Sequence, residues 1–244
     1  MAKKVSLLAL VLTLMFVSSS FAVPNPPSKG QWAYPLEEYL PLYRKADGNS
    51  RSEEIKMPMK WISVPSATRD SDNYLWYKVN VNGKTGWLPQ NGIRLKMGGK
   101  SKSASNIYKN YAKARRKIMA NPRGWSSATD DGITTYITEG AEFMVRKTKN
   151  GVEDLYFTTN RFEICREMLG VDLIDMTQPE VRSKLGTPTL RETPYDDPDM
   201  SVLSFELADR NMTLVIAERR ENGDSEGTVM SVELYRGTRN NPDY

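Results

Sequence analysis

Residues 76–93 read WYKVNVNGKTGWLPQNGI and contain the clearest strand and turn pattern in the chain. Side chains alternate along the first part of this stretch, which places Trp76 on one predicted face and Tyr77 on the other. Asn82-Gly83 follows, a dipeptide that strongly favours a two-residue β-hairpin turn. Trp87 lies on the return segment, and large aromatic side chains supply much of the buried area of a small β-domain. The stretch therefore predicts an antiparallel hairpin at the centre of such a domain.

Short β-type segments continue on both sides of this hairpin. Residues 39–43 (YLPLY) and 61–64 (WISV) are short, with apolar or alternating side chains, and residues 47–50 (DGNS) have turn composition. Several short strands without helical periodicity are typical of a small barrel. We therefore predict an all-β small barrel over residues 34–97.

The W-Y-x-V segment, the G-K-x-G-W turn and the terminal strand after it resemble the bacterial Src-homology-3-like (SH3-like) domain, and residues 41–44 (PLYR) extend the resemblance toward the start. The resemblance implies a small barrel that binds peptides or cell-wall material and rarely catalyses. Carried over residue by residue, it implies ligand-binding positions at Tyr43, Trp76 and Pro89, and we add Trp87 from the turn. The alternative is that these aromatic side chains form the core and mouth of the barrel.

The sequence departs from that pattern at two places. Arg44 and Lys45 stand where the eukaryotic relatives carry an acidic and a second aromatic residue, and Gly92 stands where they carry a tyrosine. These departures argue against recognition of polyproline by an aromatic-lined groove.

Residues 124–244 have a mixed pattern that predicts a separate α+β domain of short helices and an antiparallel sheet. The apolar periodicity and the turn residues predict two short helices, over residues 162–169 and from Thr177 to Gly186. The predicted strands are residues 133–138, 142–147, 153–158, 200–207, 211–218 and 227–235.

Residues 173–188 read LIDMTQPEVRSKLGTP, in which Thr177 and Glu180 have the spacing of a helix capping box. This segment resembles the signature of the small outer-membrane assembly lipoprotein and of β-lactamase-inhibitor-like modules, in which it precedes a three-stranded sheet. Asp175 stands where those modules commonly carry glycine. The resemblance implies that the second domain binds a protein.

Charge is divided along the chain. Residues 23–129 carry 19 Lys and Arg against 7 Asp and Glu, whereas residues 130–244 carry 13 against 23. Residues 98–123 are predicted as a basic linker and helix, because apolar residues recur at helical spacing over residues 105–120. Four cations lie mostly off the apolar stripe and form a candidate anion-binding strip for wall polymers, lipid headgroups or the acidic C-terminal half of the chain; the alternative is a solvated helix face with a flexible linker. These cations are Lys109, Lys113, Arg116 and Lys117.

The first residues predict export. Lys3 and Lys4 precede an apolar run, and Ala22 ends a small-residue pattern, so residues 1–22 are predicted as a signal peptide and residues 23–33 as a proline-rich spacer. We expect a periplasmic or secreted protein with no stable membrane span after cleavage.

The chain contains no histidine and one cysteine, Cys165. Cysteine–histidine and serine–histidine–aspartate catalysis need an imidazole as general base, and histidine-containing zinc sites need one as a ligand. Residues 196–199 (DDPD) lack the spacing of a calcium loop and favour an acidic turn. We expect no catalytic residues, no metal, no cofactor and no nucleic-acid partner, and a packed thiol at Cys165.

These observations favour an exported, non-catalytic envelope protein whose Src-homology-3-like domain binds peptide, peptidoglycan or a protein partner. One alternative is a cell-wall hydrolase in which this domain serves for targeting. A second is a protein inhibitor, which follows only from the resemblance of the second domain.

Overall fold

The computed structural model describes residues 30–72, 74–97, 104–207, 210–220, 227–238 and 241–242. In these residues antiparallel β-sheet dominates, with 50% strand and 3 short helices, which is consistent with an α+β fold, whereas the small barrel predicted for residues 34–97 is not shown, because the described strands form no closed sheet. The predicted signal peptide and most of the predicted spacer lie outside the described residues.

Residues up to 97 form eight strands in the described part of the chain. They are β1 (Trp32–Pro35), β2 (Tyr39–Tyr43), β3 (Ser52–Lys56), β4 (Ile62–Ser63), β5 (Ser66–Arg69), β6 (Leu75–Val81), β7 (Lys84–Pro89) and β8 (Ile93–Lys96). The predicted hairpin is confirmed, because β6 and β7 pair antiparallel and Val81 lies opposite Lys84. Asn82 and Gly83 both have positive φ, at 53° and 83°, which a two-residue turn of this kind requires.

Five of these strands form one open sheet in the order β3-β2-β7-β6-β5. In the described residues this sheet does not close on itself, and β3 and β5 are its edges. β1, β4 and β8 lie in a different sheet, yet one hydrophobic core joins the two. Leu40, Tyr77 and Leu88 of the first sheet and Ile62 and Ile93 of the second belong to this core. The segment therefore folds as two layers around shared apolar side chains.

The second sheet continues through the rest of the chain. Its order is β4-β1-β8-β13-β14-β15-β16-β12-β11-β10-β9, and β17 pairs with β16. The new strands are β9 (Ser126–Asp130), β10 (Ile133–Thr138), β11 (Ala141–Thr148), β12 (Gly151–Thr159), β13 (Leu190–Thr193), β14 (Met200–Leu207), β15 (Met212–Arg219), β16 (Thr228–Thr238) and β17 (Asn241–Pro242). β8 pairs antiparallel with β13, so the two parts that the sequence separates share one continuous sheet.

In the part of the chain that the structure describes, three helices pack on the long strands of this sheet. They are α1 (Ala104–Ala120), α2 (Phe162–Leu169) and α3 (Gln178–Leu185). The largest core cluster combines helix residues with strand residues, for example Tyr111 of α1 with Phe157 of β12, whose ring centroids lie 5.4 Å apart. Within the described part of the chain, no helix is both long and apolar enough to cross a membrane. The predicted helices over 105–120 and 162–169 are confirmed.

The predicted capping box of α3 is also confirmed. The Thr177 backbone N–H donates to Glu180 Oε2 at 2.8 Å, which satisfies a donor at the helix start. Asp175 has a φ of 64°, a conformation that glycine adopts without steric cost and aspartate tolerates.

Cys165 lies on the buried side of α2, fully covered by its neighbours, and its thiol donates to the carbonyl of Val171 at 3.5 Å. Burial raises the pKa of the thiol to about 11, so thiolate is scarce at neutral pH. We expect native protein to be alkylated by iodoacetamide at about pH 8 roughly a hundredfold more slowly than the urea-unfolded chain. Intact-mass measurement over time checks this, and prompt alkylation of the native protein would contradict a packed thiol.

Candidate functional site

The four predicted ligand-binding residues Tyr43, Trp76, Trp87 and Pro89 lie on one face of the five-stranded sheet, here called the aromatic face. Tyr43 lies opposite Trp87 across the β2–β7 pair, and Trp76 lies opposite Pro89 across the β6–β7 pair. Residues directly opposite one another in antiparallel strands point to the same side of a sheet. Tyr77, next to Trp76, points to the other side and joins the core.

Contacts fix the aromatic face in one arrangement. The rings of Tyr43 and Trp76 meet edge to face, with centroids 5.0 Å apart and an interplanar angle of 79°. Trp76 Nε1 donates to Asp70 Oδ2 at 2.7 Å, and Lys78 Nζ lies 5.9 Å from the Trp87 ring. Trp76 is only 4% exposed, whereas Tyr43 and Trp87 are partly exposed. Trp76 thus supports the face, and Tyr43 and Trp87 present it to solvent.

Gly86 explains the second glycine of the G-K-x-G-W turn. A Cβ atom at this position would lie 2.6 Å from Leu42 Cγ and 2.8 Å from the Tyr43 carbonyl oxygen. Real Cβ atoms do not approach other atoms so closely, so only glycine allows β2 and β7 to lie this near to each other at Tyr43. The glycine therefore helps to bring Tyr43 beside Trp87.

Gly92 lies where the two parts of the chain approach each other closely. It has a φ of 76°, and a Cβ atom there would lie 2.8 Å from Leu40 Cδ2 and 3.0 Å from Tyr195 Cδ2. The Gly92 backbone N–H also donates to the carbonyl of Thr193 at 2.8 Å. Tyr195, which belongs to the second predicted domain, therefore packs closely against Gly92.

The predicted anion-binding residues Lys109, Lys113, Arg116 and Lys117 are all exposed on α1. Considering only residues that the structure describes, none of the four forms an ion pair with an acidic side chain. They lie on a different element from the aromatic face, and the structure does not bring the two predicted sites together. Their arrangement fits a solvated helix face as well as an anion-binding strip.

A polar cavity of about 390 Å³, here called the arginine cleft, lies where the two parts of the chain meet. Its volume falls in the range of about 300–1,000 Å³ that is common for small-molecule sites. β5 and the end of β7 contribute from one side, and β13, β14, β15 and the start of α3 from the other. The residues that line it are Arg69, Gln90, Gln178, Pro179, Arg191, Pro198, Asp199, Ser201, Glu218, Arg220 and Gly227.

Hydrogen bonds hold several of these side chains in place. Arg191 Nη2 donates to Ser201 Oγ at 3.0 Å, and Gln178 Nε2 donates to Glu218 Oε2 at 3.0 Å. Arg220 Nη2 donates to Asp199 Oδ1 at 2.9 Å, and its guanidinium lies 4.7 Å from the ring of Tyr74, the residue before β6. Arg220 therefore touches both parts of the chain at the cleft.

Burial has the largest effect on the pKa of the Arg191 guanidinium and lowers it. Tyr77 and Glu218 oppose this effect, whereas the positive charges of Arg182 and Arg69 add to it. The structure thus places a mostly buried guanidinium near one carboxylate, Glu218, and near two other cations.

The arginine cleft was not predicted from the sequence. Residues 69, 191 and 220 are far apart in the chain and belong to no spacing motif. The acidic turn over residues 196–199 was predicted, and the structure pairs Asp197 with Arg219 and Asp199 with Arg220. In the described residues, no group of three or more His, Cys, Asp or Glu side chains could hold a metal ion.

Comparison with protein-family models, with curated proteins and with solved structures found no match to this chain.

Proposed function

We propose that this protein is an exported, non-catalytic binding protein of the cell envelope, and that its aromatic face binds the peptide part of cell-wall material. The observation that carries the proposal is the convergence of Tyr43, Trp76, Trp87 and Pro89 on one side of a five-stranded sheet. Rigid aromatic side chains are over-represented among residues that dominate binding energy, because they bury a large area with little loss of rotamer entropy.

Three features support a Src-homology-3-like arrangement for residues 34–97, although the five-stranded sheet is open in the described residues. The first and last strands, β1 and β8, pair antiparallel. The β6–β7 hairpin carries the W-Y-x-V and G-K-x-G-W segments. One core cluster is shared by both sheets of the segment. These are the features expected of a small two-layer β-fold.

The lack of histidine supports the non-catalytic part of the proposal, because the common hydrolytic triads need an imidazole. The exposed cations Lys109, Lys113, Arg116 and Lys117 on α1 supply a second, salt-sensitive attraction to anionic wall polymer. The second predicted domain then docks a protein partner, as its resemblance implies.

Co-sedimentation of the full chain with purified peptidoglycan tests the proposal. We expect Trp87→Ala to reduce the bound fraction at least about tenfold, because Trp87 is a partly exposed aromatic side chain at the middle of the face. Phe162→Ala is the matched control, since Phe162 is an aromatic residue that is 42% exposed and lies on α2. This control should sediment like the unchanged protein.

Two outcomes would overturn the proposal. Equal sedimentation of the Trp87→Ala and Phe162→Ala proteins would show that the aromatic face does not bind the wall. Clearing of wall material in a zymogram by the purified full chain would show a hydrolase and would remove the non-catalytic assignment.

Export has its own test. If residues 1–22 are a signal peptide, the protein recovered from the envelope fraction should begin at Val23. N-terminal sequencing checks this, and recovery of the uncut chain from the cytoplasm would contradict it.

A further inference from the structure

We propose that the outer edge of β9 pairs with β9 of a second copy of this chain, so that two long sheets join across a twofold axis. β9 is the last strand of the long sheet, and among the described strands it pairs with β10 alone. The inference rests on this edge and is independent of the aromatic face.

The backbone of β9 has hydrogen-bonding groups on its outer side. The loop between β9 and β10 consists of residues 131–132, both with positive φ, and Asp130 lies opposite Ile133. In such a two-residue hairpin the pair next to the loop is hydrogen-bonded, and the bonding alternates from there. The N–H and C=O groups of Ser127 and Thr129 therefore point away from β10. No other described backbone segment bonds to these two residues, so an added antiparallel strand would meet open donors and acceptors.

Side-chain hydrogen bonds hold β9 on β10 as a regular strand. The hydroxyl oxygens of Thr129 and Thr134 lie 2.9 Å apart, and the Ser126 hydroxyl donates to the carbonyl of Ile137 at 3.2 Å. A strand that is already fixed in this way is a preformed template for another strand. Pairing with it therefore costs little additional backbone entropy.

The other edge strands of the two sheets have features that discourage pairing. β3 reads SEEIK, with three charged side chains, β4 has only two residues, and β5 has four and ends in Arg69. β9 reads SSATD, with one charge at its end, and all five residues are exposed. Charged side chains, proline and short length are the usual means by which proteins block pairing at a sheet edge. β9 has less of this protection than the other edges.

Charge complementarity identifies a second copy as the partner. Arg123 precedes β9, Asp130 ends it and Asp131 follows it; all three are exposed, and none forms an ion pair with another described residue. Antiparallel pairing of β9 with itself brings the start of each strand beside the end of the other. Arg123 of each copy then comes near Asp130 and Asp131 of the partner copy, and the two acidic ends stay apart. The contact is self-complementary, as a twofold interface requires.

The side chains of β9 suit one register of this pairing. With Ser127 opposite Thr129 of the partner copy, each of these two symmetry-related pairs exchanges two backbone hydrogen bonds. Ala128 then faces Ala128 of the partner copy at the twofold axis. Pairs of this kind have Cα atoms only about 4.5 Å apart, which a small side chain accommodates. Two five-residue strands make a small interface, so we expect a dimer that dissociates on dilution.

The position of β9 gives the dimer a consequence for binding. β9 is at the opposite end of the long sheet from β1, β4 and β8, whose residues share a core with the sheet that carries the aromatic face. A dimer formed through β9 therefore carries one aromatic face toward each end. Two linked faces bind a repetitive polymer with higher apparent affinity than one face does. This consequence rests on the proposed function, whereas the pairing itself does not.

Sedimentation velocity of the full chain over a dilution series tests the inference, and we expect a monomer–dimer equilibrium. Ser127→Pro should raise the dissociation constant at least about tenfold, because proline removes an outward N–H group and leaves the bonds to β10 in place. Arg123→Glu should raise it about threefold or more, because it places like charges together. Arg123→Glu combined with Asp130→Arg should restore most of the dimer, since the two charges are exchanged.

Lys45→Glu is the control, because it makes the same change of charge at an exposed residue after β2. It should dimerise like the unchanged protein, and thermal melting of each variant shows whether its fold is intact. A chain that stays monomeric at every concentration would overturn the inference, and so would a dimer that the folded Ser127→Pro and Arg123→Glu proteins form unchanged. If the unchanged chain is monomeric and Ser127→Pro abolishes co-sedimentation with peptidoglycan, the edge takes an extended wall peptide and the inference is wrong.

Discussion

Glu192→Ala should lower the free energy of unfolding by about 3–5 kcal/mol, because it leaves the guanidinium of Arg94 buried without its main ionic partner. The two side chains form a short ion pair between β13 and β8, with only 9% of the Arg94 side chain and 7% of the Glu192 side chain exposed. Removing one member of a buried pair leaves the other charge in the protein interior, which solvates it poorly. Urea unfolding, followed by tryptophan fluorescence, measures the change.

Two further variants make this expectation specific. Replacing both members, as Arg94→Met with Glu192→Leu, should recover most of the lost stability, because apolar side chains of similar volume need no ionic partner. Glu53→Ala breaks the exposed ion pair between Glu53 and Lys84, whose side chains are 61% and 55% exposed respectively. It should leave the urea midpoint almost unchanged. If Glu192→Ala behaved like Glu53→Ala, the buried pair would not hold β8 to β13.

This pair has a consequence for the organisation of the chain. β8 is the last strand of residues 34–97, the segment for which the sequence predicts a separate domain, and it pairs along its whole length with β13. The backbone of Met97 also donates to the carbonyl of Thr189 at 2.9 Å. A rigid connection of this kind keeps Arg69 and Arg191 on opposite walls of one cleft, which two domains on a flexible linker would not do.

Local sequence pattern predicted much of the second sheet. β10 has the predicted bounds, Ile133–Thr138, because alternating side chains in a strand bounded by glycine turns are a local signal. α2 also has its predicted bounds, since Gly170 takes a left-handed conformation with a φ of 70° and ends the helix. Such elements depend on neighbouring residues alone, so one sequence is enough to find them.

The sequence did not predict the strands that form only by pairing with segments distant in the chain. β13 is only four residues long, Leu190–Thr193, and becomes a strand because β8 and β14 pair with it on its two sides. β9 is short, polar and exposed throughout, and it becomes a strand because it pairs with β10. The ion pair of Arg94 and Glu192 joins residues 98 positions apart, and no local pattern contains that information.

The candidate sites divide in the same way. Tyr43, Trp76, Trp87 and Pro89 were predicted because their segments resemble a known pattern, and the strand pairing then places them on one face. Their role in binding stays a prediction. The arginine cleft depends on the junction between β5, β7, β13 and α3, and this junction is set by tertiary pairing.

Asp154→Ala should also lower the free energy of unfolding by about 3–5 kcal/mol, and it should loosen α1 first. Asp154 of β12 receives hydrogen bonds from two residues of α1: Arg115 Nη2 at 3.2 Å and the hydroxyl of Tyr108 at 2.9 Å. Arg115 Nε also lies 2.7 Å from Asp154 Oδ1, and the side chains of Arg115 and Asp154 are only 8% and 2% exposed. The carboxylate is therefore the polar anchor of the helix on the sheet.

Hydrogen exchange separates this effect from general destabilisation. Amides of residues 104–120 should exchange faster in Asp154→Ala than amides of β15, because the lost contacts belong to the helix. Glu153→Ala is the control from the neighbouring position, since its pairs with Arg146 and Arg236 lie at a more exposed site and should contribute no more than about 1 kcal/mol. Uniform exchange across α1 and β15 would contradict a helix-specific anchor.

The pH dependence of Arg115→Met gives a second, independent check. Burial raises the pKa of Asp154, and Arg115 and the tyrosine hydroxyls oppose that effect. Without Arg115 the pKa should rise further, so the folded state should hold a proton on Asp154 more tightly than the unfolded chain does. A carboxyl group with a raised folded pKa favours the folded state at low pH, and this advantage is lost as the pH rises from the unfolded pKa, about 3.9, through the folded one. Arg115→Met should therefore cost less stability at about pH 4 than at about pH 7, whereas an equal loss at both values would show that Arg115 acts through packing and not through its charge.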